Sequence, residues 1–270
     1  MRKKEKNMNE KQSLIQVISN NAGHFIALVL LIAVAFAITG FAEKKARKRE
    51  VEAGARPEEV FSIRKISIIG VFSAISFVLM LFEFPLPFAP AFYKFDFSDI
   101  PALIGGFAAG PLVGVMIEFI KVLLNIVIQG TTTGFVGEIA NFVVGAAFVV
   151  PATVIYRFKK TRNTALISCL VGTLCIAFVG ATLNAFFLLP AYAVLFGSGV
   201  DSFIAAGTAI NPAVTNLFTF CALCVAPFNL VKGVADSAIT FLVYKQLSPI
   251  LKADGFRGIR KKAAAQEADA

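Results

Sequence analysis

The sequence has no Trp, a single His and four Cys in 270 residues, and only 16% of it is charged. A soluble domain carries about 25% charged residues, so this chain cannot cover itself with an ordinary water-facing surface. One His, His24, cannot build an imidazole metal site. Cys169, Cys175, Cys221 and Cys224 all lie inside apolar runs and read as small packing residues. Cys221 and Cys224 have C-x-x-C spacing, but no βαβ pattern surrounds them, so a redox centre is not expected. The motifs G-x-x-x-x-G-K-[ST], H-E-x-x-H and G-x-S-x-G are all missing. Their absence removes the P-loop, zinc-protease and serine-hydrolase readings. No pair of carboxylates is spaced to share one reaction centre. The chain is expected not to be an enzyme and to hold no metal.

What the sequence has in excess is apolar surface. Hydrophobic residues make up 57% of the chain, and Phe occurs 28 times. A helical span needs about 20 mostly apolar residues. Apolar runs fall at 25–42, 66–82, 101–109, 112–128, 135–156, 165–189 and 212–244. The fold class is therefore all-α integral membrane, and no polar stretch is long enough to fold by itself. Pro190 is expected to close the sixth run, with a loop to Asn211, and Pro227 is expected to kink the last one.

The net charge of +9 is concentrated beside the apolar runs. That pattern fits topology signals facing anionic lipid rather than nucleic acid. Residues 43–65 hold eight Lys or Arg, and 157–162 and 245–262 are also basic, whereas 83–99, 129–134 and 190–211 contain only Lys94. With the basic segments inside, the spans from Ile66 onward alternate correctly if 101–109 and 112–128 are two passes. This gives six core spans with a cytoplasmic C-terminus. The run at 25–42 is one helix more. Ala35-Phe36-Ala37 resembles a signal cleavage site, but cleavage would leave the basic linker outside, so an uncleaved extra helix is expected.

Polar groups inside a membrane segment are costly and mark function by default. Glu118, Lys121 and Asn125 share one helical face, Glu138 and Asn141 are spaced i, i+3, and Asn184 sits among Phe and Leu. Asn229, Lys232 and Asp236 follow Pro227 on one face. Some of these can be structural: Glu118 can neutralise Lys121, Lys232 can pair with Asp236, and an Asn can join two helices. As a set they suit a neutral, hydrogen-bonding ligand, since an Asn amide offers donor and acceptor together and so matches a uracil-like edge. The loop at 83–99 is rich in Pro and aromatics, including Phe84. It suits closure over a planar ring and equally suits resting on lipid.

The run FEFPLPFAPAFYKFDFSDIPALIGGFAAGPLVGV, followed in order by EFIKVLLN, GEIANF, TLNAFFLLP and PFNLVKG, resembles the riboflavin-specific S component of energy-coupling factor (ECF) transporters. The likeness covers about 66–247. It implies a six-helix membrane protein that binds riboflavin as a transported ligand, not as a cofactor, and works with a T component and two ABC-type ATPases. It places the ring's polar edge on Asn184, Asn229 and Lys232, and makes the loop with Phe84 and Asp96 a lid. Asn125, Asn141 and Lys121 are further candidates for the ribityl hydroxyls. Small residues on the first core helix serve docking in the family, and Gly70 and Ala74 have that spacing here. The expected organisation is a polar tail (1–24), an extra transmembrane helix (25–42), a basic cytoplasmic linker (43–65), the six-helix riboflavin-binding domain (66–247) and a basic tail (248–270), in the cell membrane. The extra helix departs from the family pattern. Two rivals stand beside this reading: the same scaffold for another vitamin or flavin analogue, and a proton-coupled transporter using Glu118 or Asp236.

Overall fold

The computed structural model describes residues 22–54 and 59–252. Most of the two expected tails falls outside these residues. The chain is helical: α1 (Ala22–Glu52), α2 (Ile63–Met80), α3 (Asp99–Ala109), α4 (Pro111–Gln129), α5 (Val136–Phe158), α6 (Arg162–Leu183), α7 (Leu189–Leu195), α8 (Val200–Thr208), α9 (Leu217–Phe220) and α10 (Ala226–Lys252). Two-residue strands β1 (Phe84–Pro85) and β2 (Lys94–Phe95) pair antiparallel in the loop after α2.

Among the described residues, six helical stretches are long and apolar enough to cross a membrane: Phe25–Glu52, Ile63–Met80, Pro111–Gln129, Val136–Phe158, Arg162–Leu195 and Leu217–Tyr244. Their outward faces are apolar too, with Val71, Ile75 and Val78 exposed on α2, Leu170, Leu174 and Phe178 on α6, and Val231, Val234 and Leu242 on α10. Such a surface is at home in hydrocarbon, where every backbone polar group is satisfied within its helix.

The run at 101–109 is not a full pass. Helix α3 has 11 residues, about 16 Å of rise. It is buried along its whole length, and α4 folds back on it through Gly110. That glycine has φ 111°, and a Cβ on it would meet Glu43 Oε2 at 2.8 Å. The loop from β1 leads to the start of α3, where Ser98 and Asp99 are buried deep in the bundle. Irregular backbone at this depth survives only where it is enclosed by protein or lines a cavity. At the other end of α3 the unpaired carbonyls find donors: Tyr244 O–H reaches Phe107 O at 3.3 Å, and Arg64 reaches Ala108 O at 3.4 Å.

Helix α1 runs unbroken to Glu52, ten residues beyond the expected end, so much of the basic linker is helical. Its extension is pinned by ion pairs. Arg157 of α5 donates to Glu43 at 3.1 Å and also pairs with Glu50, and Lys65 of α2 lies 3.9 Å from Glu43. Along its apolar part, Leu28 and Ala35 pack with Val122, Ile139 and Phe142 of α4 and α5. The expected loop after Pro190 is also largely helical, as α7 and α8.

Helix contacts are close because glycines stand at the crossings. A Cβ on Gly172 of α6 would lie 2.8 Å from the Phe148 backbone oxygen of α5. One on Gly233 of α10 would lie 3.0 Å from Thr173 Cα of α6. Gly70 meets nothing within 4 Å, and it and Ala74 are exposed on the outer face of α2. Gly172→Val should therefore lower stability by about 1–3 kcal/mol. Gly70→Ala should be neutral, or gain up to about 1 kcal/mol from helix propensity. Thermal unfolding of both variants in detergent checks the contrast.

Candidate ligand-binding site

At the end of the bundle where α2, α4 and α7 finish and α5 and α10 begin lies a cavity of about 670 Å³. Asn125, Asn141, Asn184, Asn229, Lys232 and Asp96, all singled out in the sequence, line it. Aromatic residues Phe92, Tyr93, Tyr192, Phe203 and Phe228 complete its walls.

Two π-helical turns place the key amides. Residues Asn184–Leu188 form one between α6 and α7, and Cys221–Val225 form the other between α9 and α10. Each ends with a wide hydrogen bond, from Leu189 N–H to Asn184 O and from Ala226 N–H to Cys221 O. Each is followed by proline, Pro190 and Pro227, one residue past the residue that closes the turn. A proline inside a helix lacks an N–H and collides with the carbonyl four residues back. A π turn widens the ring at that point and absorbs the misfit. Pro190 therefore does not end its helix, and Asn184 and Asn229 sit beside the two widened turns.

Their hydrogen bonds show what is already committed. Tyr93 O–H donates to Asn184 Oδ1 at 2.6 Å, and Asn184 Nδ2 donates to Gly180 O at 2.8 Å. Asn229 Nδ2 donates to Val225 O at 2.9 Å, and its amide packs against Gly180, where a Cβ would come within 2.7 Å of Nδ2. The two amides thus meet over one glycine. Both are buried at 5% exposure.

Beneath the cavity is an ionic floor. Lys232 Nζ donates to the Asp96 carbonyl at 3.0 Å, and lies 3.2 Å from Asp96 Oδ1 and 3.4 Å from Asp99 Oδ2. Lys121 Nζ is 2.7 Å from Asp99 Oδ1, 2.6 Å from Glu118 Oε2 and 3.1 Å from Ser98 Oγ. Asp96 Oδ1 also accepts Ser98 N–H at 2.7 Å. Two lysines and three carboxylates from α3, its preceding loop, α4 and α10 are thereby locked together.

Three expectations need correction. Lys121 does not reach the cavity wall. It is fully buried below the floor, because Asp99 and Glu118 claim it from both sides. Phe84 is also off the wall, held in β1 with its ring on Phe95 and Phe97. Lys232 pairs with Asp96 and Asp99 rather than with Asp236, whose two carboxyl oxygens are buried without a hydrogen-bond partner among the described residues. Conversely, Tyr93, Glu138, Thr133, Tyr192 and Phe203 line the cavity without having been assigned to the ligand. The i, i+3 spacing of Glu138 and Asn141 is the available signal for Glu138. Phe203 and Tyr192 come from a stretch with no pattern of its own.

The loop before α5 is shaped tightly. Phe135 has φ 70° and is 1% exposed. A left-handed backbone costs a non-glycine residue about 1 kcal/mol or more. It is held by Phe135 N–H donating to Thr131 Oγ1 at 3.1 Å and by the edge contact of its ring with Phe25 of α1.

A multi-pass membrane bundle with an amide-lined cavity at one end defines a small-molecule binding component. Residues 64–244 match the family described as ECF transporter, substrate-specific component, and the chain belongs to that family. It is 34% identical to the riboflavin transporter FmnP of Bacillus subtilis (strain 168), covering 69% of this chain and 93% of that one. It is 32% identical to the riboflavin transporter RibU of Staphylococcus aureus (strain TCH60), covering 74% and 98%. A solved structure described as the S component of a bacterial ECF transporter superposes with a TM-score of 0.54 at 32% identity, over 70% of this chain and 97% of that one. The matched region begins at α2, so α1 lies outside the family core.

The floor yields a prediction. Lys121→Met would leave Asp99 and Glu118 without their shared cation, and removing one partner of a buried pair costs about 3–5 kcal/mol. The ligand-free variant should show a large drop in thermal stability in detergent, while Glu83→Gln, which breaks the exposed Lys94–Glu83 pair, should change it by less than about 1 kcal/mol.

Proposed function

We propose that the protein captures riboflavin at the outer face of the cell membrane and delivers it across with a T component and two ABC-type ATPases. The observation that carries this is the presence of Asn184 and Asn229 on the wall, and Lys232 in the floor, of one aromatic-lined cavity. Its volume falls within the roughly 300–1,000 Å³ of small-molecule sites. The amides supply donors and acceptors to the uracil-like edge of the isoalloxazine ring, Tyr93 and Phe228 flank its faces, and Asn125 and Asn141 reach toward the ribityl chain. The names of the similar transporters favour the same ligand.

Charge supports a neutral ligand. Of the two lining lysines, Lys94 pairs with Glu83 and Lys232 with Asp96 and Asp99, so among the described lining residues no cation is left to hold an anion. In this reading the basic end, with Arg157 and the C-terminus, faces the cytoplasm and the cavity faces outward, following the distribution of Lys and Arg. The open outer face of α2, with Gly70 and Ala74, is the docking face for the T component, since small residues allow close helix approach. The chain itself catalyses no reaction.

Protein purified in detergent from riboflavin-fed cells should be yellow, with stoichiometric and quenched flavin. A colourless protein that also leaves added riboflavin fluorescence unchanged would overturn the ligand assignment. Asn184→Ala and Asn229→Ala should each weaken binding by about 1–3 kcal/mol, roughly 5- to 150-fold in Kd. Wild-type affinity in both variants would remove the ring edge from this wall.

A further inference from the structure

Among the described residues, Glu138 is the lining carboxylate that no lysine or arginine pairs with, since Glu83 holds Lys94 and Asp96 and Asp99 belong to the ionic floor. It stands in the first turn of α5, is 5% exposed and forms no ion pair with a described residue. Its Oε2 accepts from Thr131 Oγ1 at 3.1 Å and from Thr133 Oγ1 at 3.2 Å. Those hydroxyls are held as donors, because each accepts backbone N–H groups on its other side. Thr131 Oγ1 takes Thr133 N–H at 3.3 Å and Phe135 N–H at 3.1 Å, and Thr133 Oγ1 takes Gly137 N–H at 2.9 Å. The left-handed Phe135 closes this small cage. Oε2 is therefore saturated, while Oε1 has no hydrogen bond from a described residue.

The carboxylate's position in the cavity is fixed by α5. Glu138, Asn141 and Gly145 all line it. Gly145 touches the floor, where a Cβ would lie 3.2 Å from Asp99 Oδ1. Seven residues separate Gly145 from Glu138, about 10 Å along a helix, so Glu138 lines the cavity about that far along α5 from the floor. With the ring's polar edge at the amides, the ligand's polyol chain extends toward Glu138.

We infer that Glu138 determines specificity: Oε1 accepts a hydroxyl of the ribityl chain, and its uncompensated charge excludes the 5′-phosphate ester of the same flavin (FMN). This rests on the riboflavin reading above. A hydroxyl donates to a carboxylate at no electrostatic cost, whereas a phosphate brings a second anion to a place where both lining lysines are already committed. Repulsion between charges several ångströms apart at a partly desolvated site is worth a factor of ten or more.

The test is fluorescence-quench titration of the purified full chain with riboflavin and with FMN. Wild type should prefer riboflavin. Glu138→Gln should bind FMN more tightly in absolute terms and shrink the FMN-to-riboflavin Kd ratio by about tenfold or more. A second measurement needs no variant. The phosphate gains its second charge near pH 6, so wild-type affinity for FMN should fall between about pH 5.5 and about pH 7.5 while that for riboflavin stays level. An unchanged ratio in a variant that still binds riboflavin, or a pH-independent FMN affinity, would overturn the role of Glu138 alone. A wild type that binds neither flavin would overturn the ligand reading, and this inference with it.

Discussion

The structure depends on where Lys121 finds its counter-charges. A lysine with no exposure in a membrane bundle is tolerable only if anions come to it, since an unpaired buried charge costs several kcal/mol. Asp99 answers from the first turn of α3 and Glu118 from the preceding turn of α4. Asp99 in turn holds Lys232 of α10, which also binds Asp96. One chain of charges thus ties the half-length helix, its irregular lead-in, α4 and α10 into a floor. That floor lets the loop before α3 leave the helical regime at membrane depth, and the space above it is the cavity.

The second constraint is steric. Two long membrane helices each carry a proline near the cavity, and each inserts a π turn just before it. The turn that relieves the proline also rotates the residues around it, so Asn184 and Asn229 are brought together over Gly180. The helices cross this closely because glycine stands at each contact. A Cβ at Gly180 would displace the Asn229 amide that lines the cavity. Packing and recognition are therefore the same feature at this crossing, seen from its two sides.

Much of this was legible in the sequence. The apolar runs, the basic clusters and the alternation between them carried the helix order, and the cost of polar groups in hydrocarbon singled out Asn125, Asn141, Asn184, Asn229 and Lys232. The failures have a common cause. Lys121 lies on the same face as Asn125, but its reach is decided by Asp99, which is 22 residues away and arrives only through tertiary folding. Lys232 likewise prefers Asp96 and Asp99 to the nearer Asp236, because i, i+4 proximity on one helix is overridden by partners from another element. Phe84 joins the lid through the family resemblance, yet strand pairing with Phe95 turns it aside. Helix lengths were misjudged at Glu52 and Pro190 because the compensating interactions, Arg157 on Glu43 and a π turn before proline, leave no local pattern.

Helix α1 shows how an addition can be accommodated without disturbing a binding core. It packs on α4 and α5, and its far end is secured by Arg157 and Lys65 to Glu43. It does not cover the Gly70–Ala74 face of α2, which stays open. Its near end packs the Phe25 ring edge-on against Phe135. Phe135 carries the left-handed backbone that shapes the Thr131–Thr133 cage around Glu138. An apolar ring at that place gives the strained residue a packed surface that lipid tails would supply less well, since fluid tails cannot match the density of a protein contact. The added helix therefore stands behind Phe135 as a support, and among the described residues it adds no side chain to the cavity lining.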